Sequence, residues 1–125
     1  MYSEKPLAAQ AAQGAELVRL ARGKGVRLGC APDVPLGAMI QTARHLVDAG
    51  AVGRVVGATA NLFKQGVETW HPNPNFLYQP GAGPLMDMGP YYLTALLHIV
   101  GPFASVSAMD AISFPTRRIT SQPHY

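Results

Sequence analysis

Apolar positions recur at helical spacing in three stretches of the chain and alternate at period two in others. Residues 8–23, AAQAAQGAELVRLARG, predict a helix. Ala11, Ala15 and Val18 recur along one face, with Leu17 and Ala21 widening it, and alanine, leucine, glutamate, glutamine and arginine are all strong helix formers. Pro6 is tolerated only at the start of such an element. Gly23 and Gly25 supply the stop, with Arg22 and Lys24 in the last turn, where cations are favoured. VRLGCA, residues 26–31, follows as a short strand ended by Pro32 and Pro35. Helix, glycine turn and short apolar strand make the second half of a βαβ unit. The first strand of that unit is expected before Glu4, where three residues are too few to supply it.

A second helix is expected over residues 36–49, with Ile40, Ala43 and Val47 as its buried stripe, flanked by Met39 and Leu46. Arg44, His45 and Asp48 face outward on this reading, and Gly50 takes the C′ position. Residues 52–63 alternate as a strand. Val56, Ala58, Ala60 and Leu62 share one face, and Val55, Thr59, Asn61 and Phe63 the other. A third helix spans 84–100, with Leu93, Leu96, Leu97 and Val100 as its apolar side. Pro90 either kinks that helix or marks where its regular part begins. A last strand is expected over 103–114, where the alternation is looser. Two strands alone are only marginally stable. The plan is therefore the end of a parallel α/β layer up to Ala31, then a helix-plus-sheet unit, with both parts cut short.

Between the second strand and the third helix lies KQGVETWHPNPNFLYQPGAG, residues 64–83. Its three prolines and three glycines exclude long regular structure. It also carries Trp70, His71, Phe76 and Tyr78, too many aromatics for a plain solvent loop. Such a loop either lines a site or covers the sheet.

Composition narrows the function classes. Hydrophobic residues are 48% of the chain, ordinary for a globular domain, but charged residues are only 14%, which leaves faces open to contact. The net charge of +3 comes from scattered cations and an isolated Arg117–Arg118 pair. Neither a basic stripe nor interleaved aromatics are present, so nucleic acid is not an expected partner. Cys30, the single cysteine, reads as a small buried hydrophobe. No run of about 18 apolar residues predicts a membrane span, and no signal-like stretch opens the chain, so a cytoplasmic setting is expected. Neither the dinucleotide fingerprint nor the P-loop pattern occurs.

Four residues stand out as candidate chemistry. Asp87 and Tyr91 are four apart and share a face if their segment is helical. Together they could wall a polar pocket, or Asp87 could simply orient the helix start. Lys5 lies between a strand end and a helix start, the carboxyl edge where open α/β sheets bind ligands. An ammonium there can hold a hydroxyl or carbonyl oxygen and steady developing negative charge. His71 is either an acid/base near neutral pH or a packed loop histidine. His45, His98 and His124 form no metal-ligand spacing with one another or with an acid, so no metal is expected.

Glu4-Lys5-Pro6 before an alanine-rich helix resembles the EKP segment of the Gfo/Idh/MocA oxidoreductases. The stretch from Pro80 to Tyr91, PGAGPLMDMGPY, resembles that family's second signature, a glycine-rich turn followed by Leu, Asp, Gly and usually His. GAVG at 50–53 fits its domain junction. The resemblance implies an α/β fold: residues 1–31 as the terminal helix and strand of a Rossmann-type domain, residues 32–125 as the first part of an α+β domain with a mostly antiparallel sheet. It implies hydride transfer between a secondary alcohol of a sugar or polyol and NAD or NADP. Glu4, Lys5 and Pro6 would lie at the cofactor, with Lys5 and Asp87 in the catalytic site. Tyr91 stands where the family has histidine, which leaves Tyr91 and His71 as rivals for proton transfer. The family's phosphate-binding glycines precede the EKP segment. The resemblance thus implies a fragment that binds the dinucleotide poorly by itself, and a homo-oligomer formed through the C-terminal sheet. The alternative expectation is a non-catalytic oligomerisation module derived from the same family.

Overall fold

The structure, a computed structural model, describes residues 1–122; His124 lies outside them. Among the described residues it is an α/β arrangement of three α-helices, three short 3-10 turns and a minimal parallel sheet. Strand β1 (Tyr2–Ser3) pairs with β2 (Gly29–Cys30), placing Tyr2 opposite Gly29 and Ser3 opposite Cys30. The residues before Glu4 therefore do supply the first strand of a βαβ unit. Two residues suffice because Gly29 N–H donates to Met1 O and Ala31 N–H to Ser3 O, both at 3.0 Å.

Helix α1 (Ala11–Gly23) connects the two strands. It begins three residues later than its composition suggests, because Gln10 is still extended, at φ −129° and ψ 143°. Its end is a Schellman motif. Gly25 adopts φ +63°, Gly25 N–H reaches Arg22 O, and Val26 N–H reaches Ala21 O. Helix α2 (Ala38–Asp48) closes in the same way, with Gly50 at φ +76° and Ala51 N–H on Leu46 O at 3.0 Å.

Helix α3 (Pro84–Val100) starts at Pro84 and continues through Pro90, so the regular helix does not wait for Pro90 to begin. It packs against α2, whose Ile40, Ala43 and Val47 are half-buried as their spacing requires. Arg44 does not simply face water. Its guanidinium binds Asp48 at 2.6 and 2.8 Å and donates to the carbonyls of His98 and Ile99 at 3.3 Å. Those carbonyls belong to the last turn of α3, which lacks partners of its own. The His98 ring lies 3.4 Å from Gln41 of α2.

The strands expected over 52–63 and 103–114 are not formed, and with them the antiparallel sheet expected for residues 32–125 is not present among the described residues. Both segments run without a ladder partner, and without one there are no cross-strand hydrogen bonds to make a strand. Val56 and Phe63 are each 92% exposed and Ile112 87%. Among the described residues no hydrophobic side chain is fully buried apart from Pro74.

Candidate functional site

Parallel pairing brings the carboxyl ends of β1 and β2 together. Glu4 leaves β1 with its carbonyl accepting a long hydrogen bond from Cys30 Sγ, at 3.5 Å. Cys30 thus tacks the two strand exits to each other. The next bond, Lys5–Pro6, is cis. Glu4 itself is exposed, and among the described residues its carboxylate meets only the Lys5 N–H, at 3.3 Å.

The Lys5 side chain runs inward and is 13% exposed. Its Nζ donates to Asp87 Oδ1 at 2.6 Å and to the Asp87 backbone carbonyl at 2.5 Å. Asp87 sits in the first turn of α3, the positive end of the helix, where a carboxylate is favoured and an ammonium is not. The carboxylate makes the ammonium tolerable there. No side chain caps α3, whose N-cap is Gly83, so the Asp87 carboxylate is spent on Lys5 and not on the helix start.

One helical turn further, the Tyr91 ring lies under Lys5, with Nζ 5.1 Å from the ring centroid. The cation meets the ring face, within cation–π range, and does not pair with the phenol oxygen. Lysine has three N–H donors. Two go to Asp87, and among the described residues no third oxygen takes the last.

The glycine turn before α3 makes this approach possible. Gly81 has φ +84°, and a Cβ there would stand 2.8 Å from the Cβ of Ala9. Only a glycine lets the PGAG turn lie against the segment that follows Lys5–Pro6.

His71 is placed apart from this trio. Its Nδ1 accepts the Asn73 N–H at 3.0 Å. Its ring packs edge-on against Trp70 and Phe76, each with centroids 5.4 Å apart. The structure brings Lys5, Asp87 and Tyr91 together and leaves His71 in its own aromatic cluster.

A second polar cluster escaped the sequence reading. Glu68 is 7% exposed and accepts hydrogen bonds from Tyr78 Oη and from Arg117 Nη1, the latter at 2.8 Å. Arg117 is therefore not a freely solvated cation. The Tyr78 hydrogen bond, followed by that of Arg117, holds the Glu68 carboxyl below its ordinary range. Burial, with the Glu68 hydrogen bond next, pushes the Tyr78 phenol up. The available signal was that Glu68 is the one acid in the proline- and aromatic-rich loop. Among the described residues no three His, Cys, Asp or Glu side chains converge as a metal site, and no helix is long and apolar enough to cross a membrane.

A strand-end lysine bound to a carboxylate on a distant helix thus joins two remote segments of an α/β protein. The family model of the GFO/IDH/MocA C-terminal domain matches residues 40–121. The chain belongs to the Gfo/Idh/MocA family. It is 30% identical over 122 residues to the D-xylose dehydrogenase of Paenarthrobacter nicotinovorans, a match covering 94% of this chain and 31% of that protein. The chain thus spans under a third of the length of that curated relative. No solved structure matches it.

Proposed function

We propose that this chain carries part of the active site of an NAD(P)-dependent dehydrogenase acting on a sugar or polyol. The observation that carries the proposal is the Lys5 ammonium, held by two oxygens of Asp87 with one N–H left to give. That donor suits an alcohol or carbonyl oxygen, and the fixed positive charge steadies the alkoxide that forms as the proton leaves. Asp87 orients the ammonium. On this reading Tyr91, one turn along the same helix face with its ring under the ammonium, takes or returns the hydroxyl proton.

The donor set also fits the reactive end of a nicotinamide. Lys5 emerges at the carboxyl ends of parallel strands, where open α/β sheets hold dinucleotides. When bound, the nicotinamide accepts or supplies the hydride. On this reading residues 1–31 are the close of the dinucleotide-binding domain and residues 32–125 the opening of the substrate domain. The printed activity of the curated relative, xylose dehydrogenation, supports a sugar as substrate class.

The test is sugar-dependent reduction of NAD or NADP by the complete protein, across aldoses, inositols and linear polyols. Reduction that disappears in Lys5→Met is expected; no reduction with any of them sinks the proposal. Titration calorimetry on the 125-residue chain should show weak dinucleotide binding, since the dinucleotide fingerprint does not occur in it.

A second reading, an oligomerisation module, is favoured by the exposed apolar residues of the two unpaired segments, Val56, Phe63, Val106 and Ile112 among them. Sedimentation velocity separates the two. A soluble oligomer of defined size with no dinucleotide affinity favours the module.

A further inference from the structure

The most enclosed carboxylate among the described residues is away from the Lys5 site. Glu68 lies on a 3-10 turn (Val67–Thr69) at the head of the aromatic loop. Tyr78 Oη binds one of its carboxylate oxygens from ten residues downstream, and Arg117 Nη1 binds the other from 49 residues downstream. Its backbone carbonyl accepts the N–H groups of Thr120 and Ser121, both at 2.9 Å. Gln122 Nε2 adds a hydrogen bond to Pro72 O. The Arg117 guanidinium also stacks on Phe114, 5.0 Å from the ring centroid. Gly66 leaves the room for all this, since a Cβ there would collide with the Glu68 carboxylate.

Three segments, 66–69, 75–78 and 117–121, therefore meet at one residue, although helix α3 lies between the second and third in sequence. A buried carboxylate is costly unless paired and hydrogen-bonded, and here both oxygens are. The Glu68–Tyr78 bond closes a short loop around Trp70, His71, the fully enclosed Pro74 and Phe76. The far end of the same loop is pinned where Gly81 meets Ala9, next to Lys5–Pro6.

We propose that Glu68 is a positioning residue: a latch, closed through Tyr78 and Arg117, that fixes the His71–Trp70 loop and docks the 117–122 segment onto it. The titratable and charged groups facing Glu68 are Tyr78 from the loop and Arg117 from the C-terminal segment. Its kinetic consequence rests on the dehydrogenase reading above, whereas the latch itself does not. Releasing the latch loosens the front of the loop while the Gly81 end stays docked. With the loop taken as a wall of the sugar site, the loss should fall on substrate binding and spare the step at Lys5.

The test has two arms. In the first, amide exchange of Thr120 and Ser121 is followed by NMR on the described chain. Glu68→Ala should lower their protection by about tenfold or more while amides of α2 keep theirs. Wild-type protection, corrected for intrinsic exchange, should also fall on acidification, and Glu68→Gln should abolish that pH dependence. Unchanged protection in Glu68→Ala, or the same acid profile in Glu68→Gln, overturns the latch. If Glu68→Ala unfolds the chain, Arg117→Lys decides, with selective loss at Thr120 and Ser121 expected and no loss overturning it. In the second arm, Glu68→Gln in the complete protein should raise the KM for sugar about tenfold with kcat held within about twofold. A fall in kcat at constant KM overturns the positioning role. Absence of any sugar oxidation by wild type refutes the dehydrogenase reading and leaves the exchange result to decide the latch.

Discussion

Lys5 Nζ donates to both the side-chain and the main-chain oxygen of Asp87, a residue 82 positions away, at 2.6 and 2.5 Å. Two strong acceptors on one residue hold an ammonium in one place more firmly than either would alone. Lys5→Met should therefore cost more than a charge. In the complete protein kcat should fall by about 10²–10³-fold, the range seen when a preorganised transition-state donor is removed. KM should move less. Steady-state kinetics at saturating dinucleotide measure both, and a kcat within a few-fold of wild type would falsify the assignment.

Tyr91→Phe is an unusually clean substitution here. It keeps the ring face under Lys5 and removes only the hydroxyl. If the phenol carries the proton, turnover should drop about 10²-fold or more while substrate affinity is nearly kept. His71→Ala should leave turnover close to wild type, because His71 is occupied by Asn73, Trp70 and Phe76. The reverse outcome transfers the proton to His71.

The Glu68 cluster should shape stability at both ends of the pH scale. The folded Glu68 carboxyl lies below its ordinary value of 4.5, so its contribution is full above that value and is lost as pH falls through the lower folded one. Tyr78 lies above its ordinary 10.0, so its contribution is full below that value and is lost as pH rises through the higher one. Urea unfolding followed across pH should show a plateau with two falling limbs. Glu68→Gln should flatten the acid limb and Tyr78→Phe the alkaline limb. A wild-type profile in Glu68→Gln would remove Glu68 from the account.

Gly81 and Gly53 offer a matched pair. Both have positive φ, +84° and +66°, but a Cβ at Gly81 would strike Ala9, whereas at Gly53 nothing stands within 4 Å. Gly53→Ala should cost about 1–2 kcal/mol, the backbone penalty alone. Gly81→Ala should cost more, and the excess measures how tightly the PGAG turn seats on the segment after Lys5. Equal costs in chemical denaturation would mean that the contact with Ala9 contributes nothing.

Local order was largely legible in the chain. The glycines that end α1 and α2 are where the helical periodicity runs out, and the stripe of Ile40, Ala43 and Val47 is half-buried on a helix that packs against α3. Read from spacing, Lys5, Asp87 and Tyr91 were separate hints, a strand exit and a pair four apart, and only the family resemblance put Lys5 and Asp87 in one site. Their convergence was not readable from spacing, because it depends on the Gly81–Ala9 contact between remote segments. The periodicity of 52–63 and 103–114 was also real, yet alternation states only which side chains share a face and not whether a neighbouring strand is there to pair. Glu68 and Arg117 were missed for a related reason. Each looks like an ordinary surface charge until a segment 49 residues distant is folded onto it.

The Lys5–Asp87 contact has a consequence for how the protein can be assayed without chemistry. The Lys5–Asp87 pair exists only while two remote stretches are docked, so a small molecule that touches both would act as a clasp. It binds the docked form and not the open one, and mass action then raises the melting temperature in proportion to how well it bridges them. A thermal-shift screen of sugars and polyols would thus report occupancy of this seam even where no hydride is transferred, and Asp87→Ala, which severs the seam, would silence it.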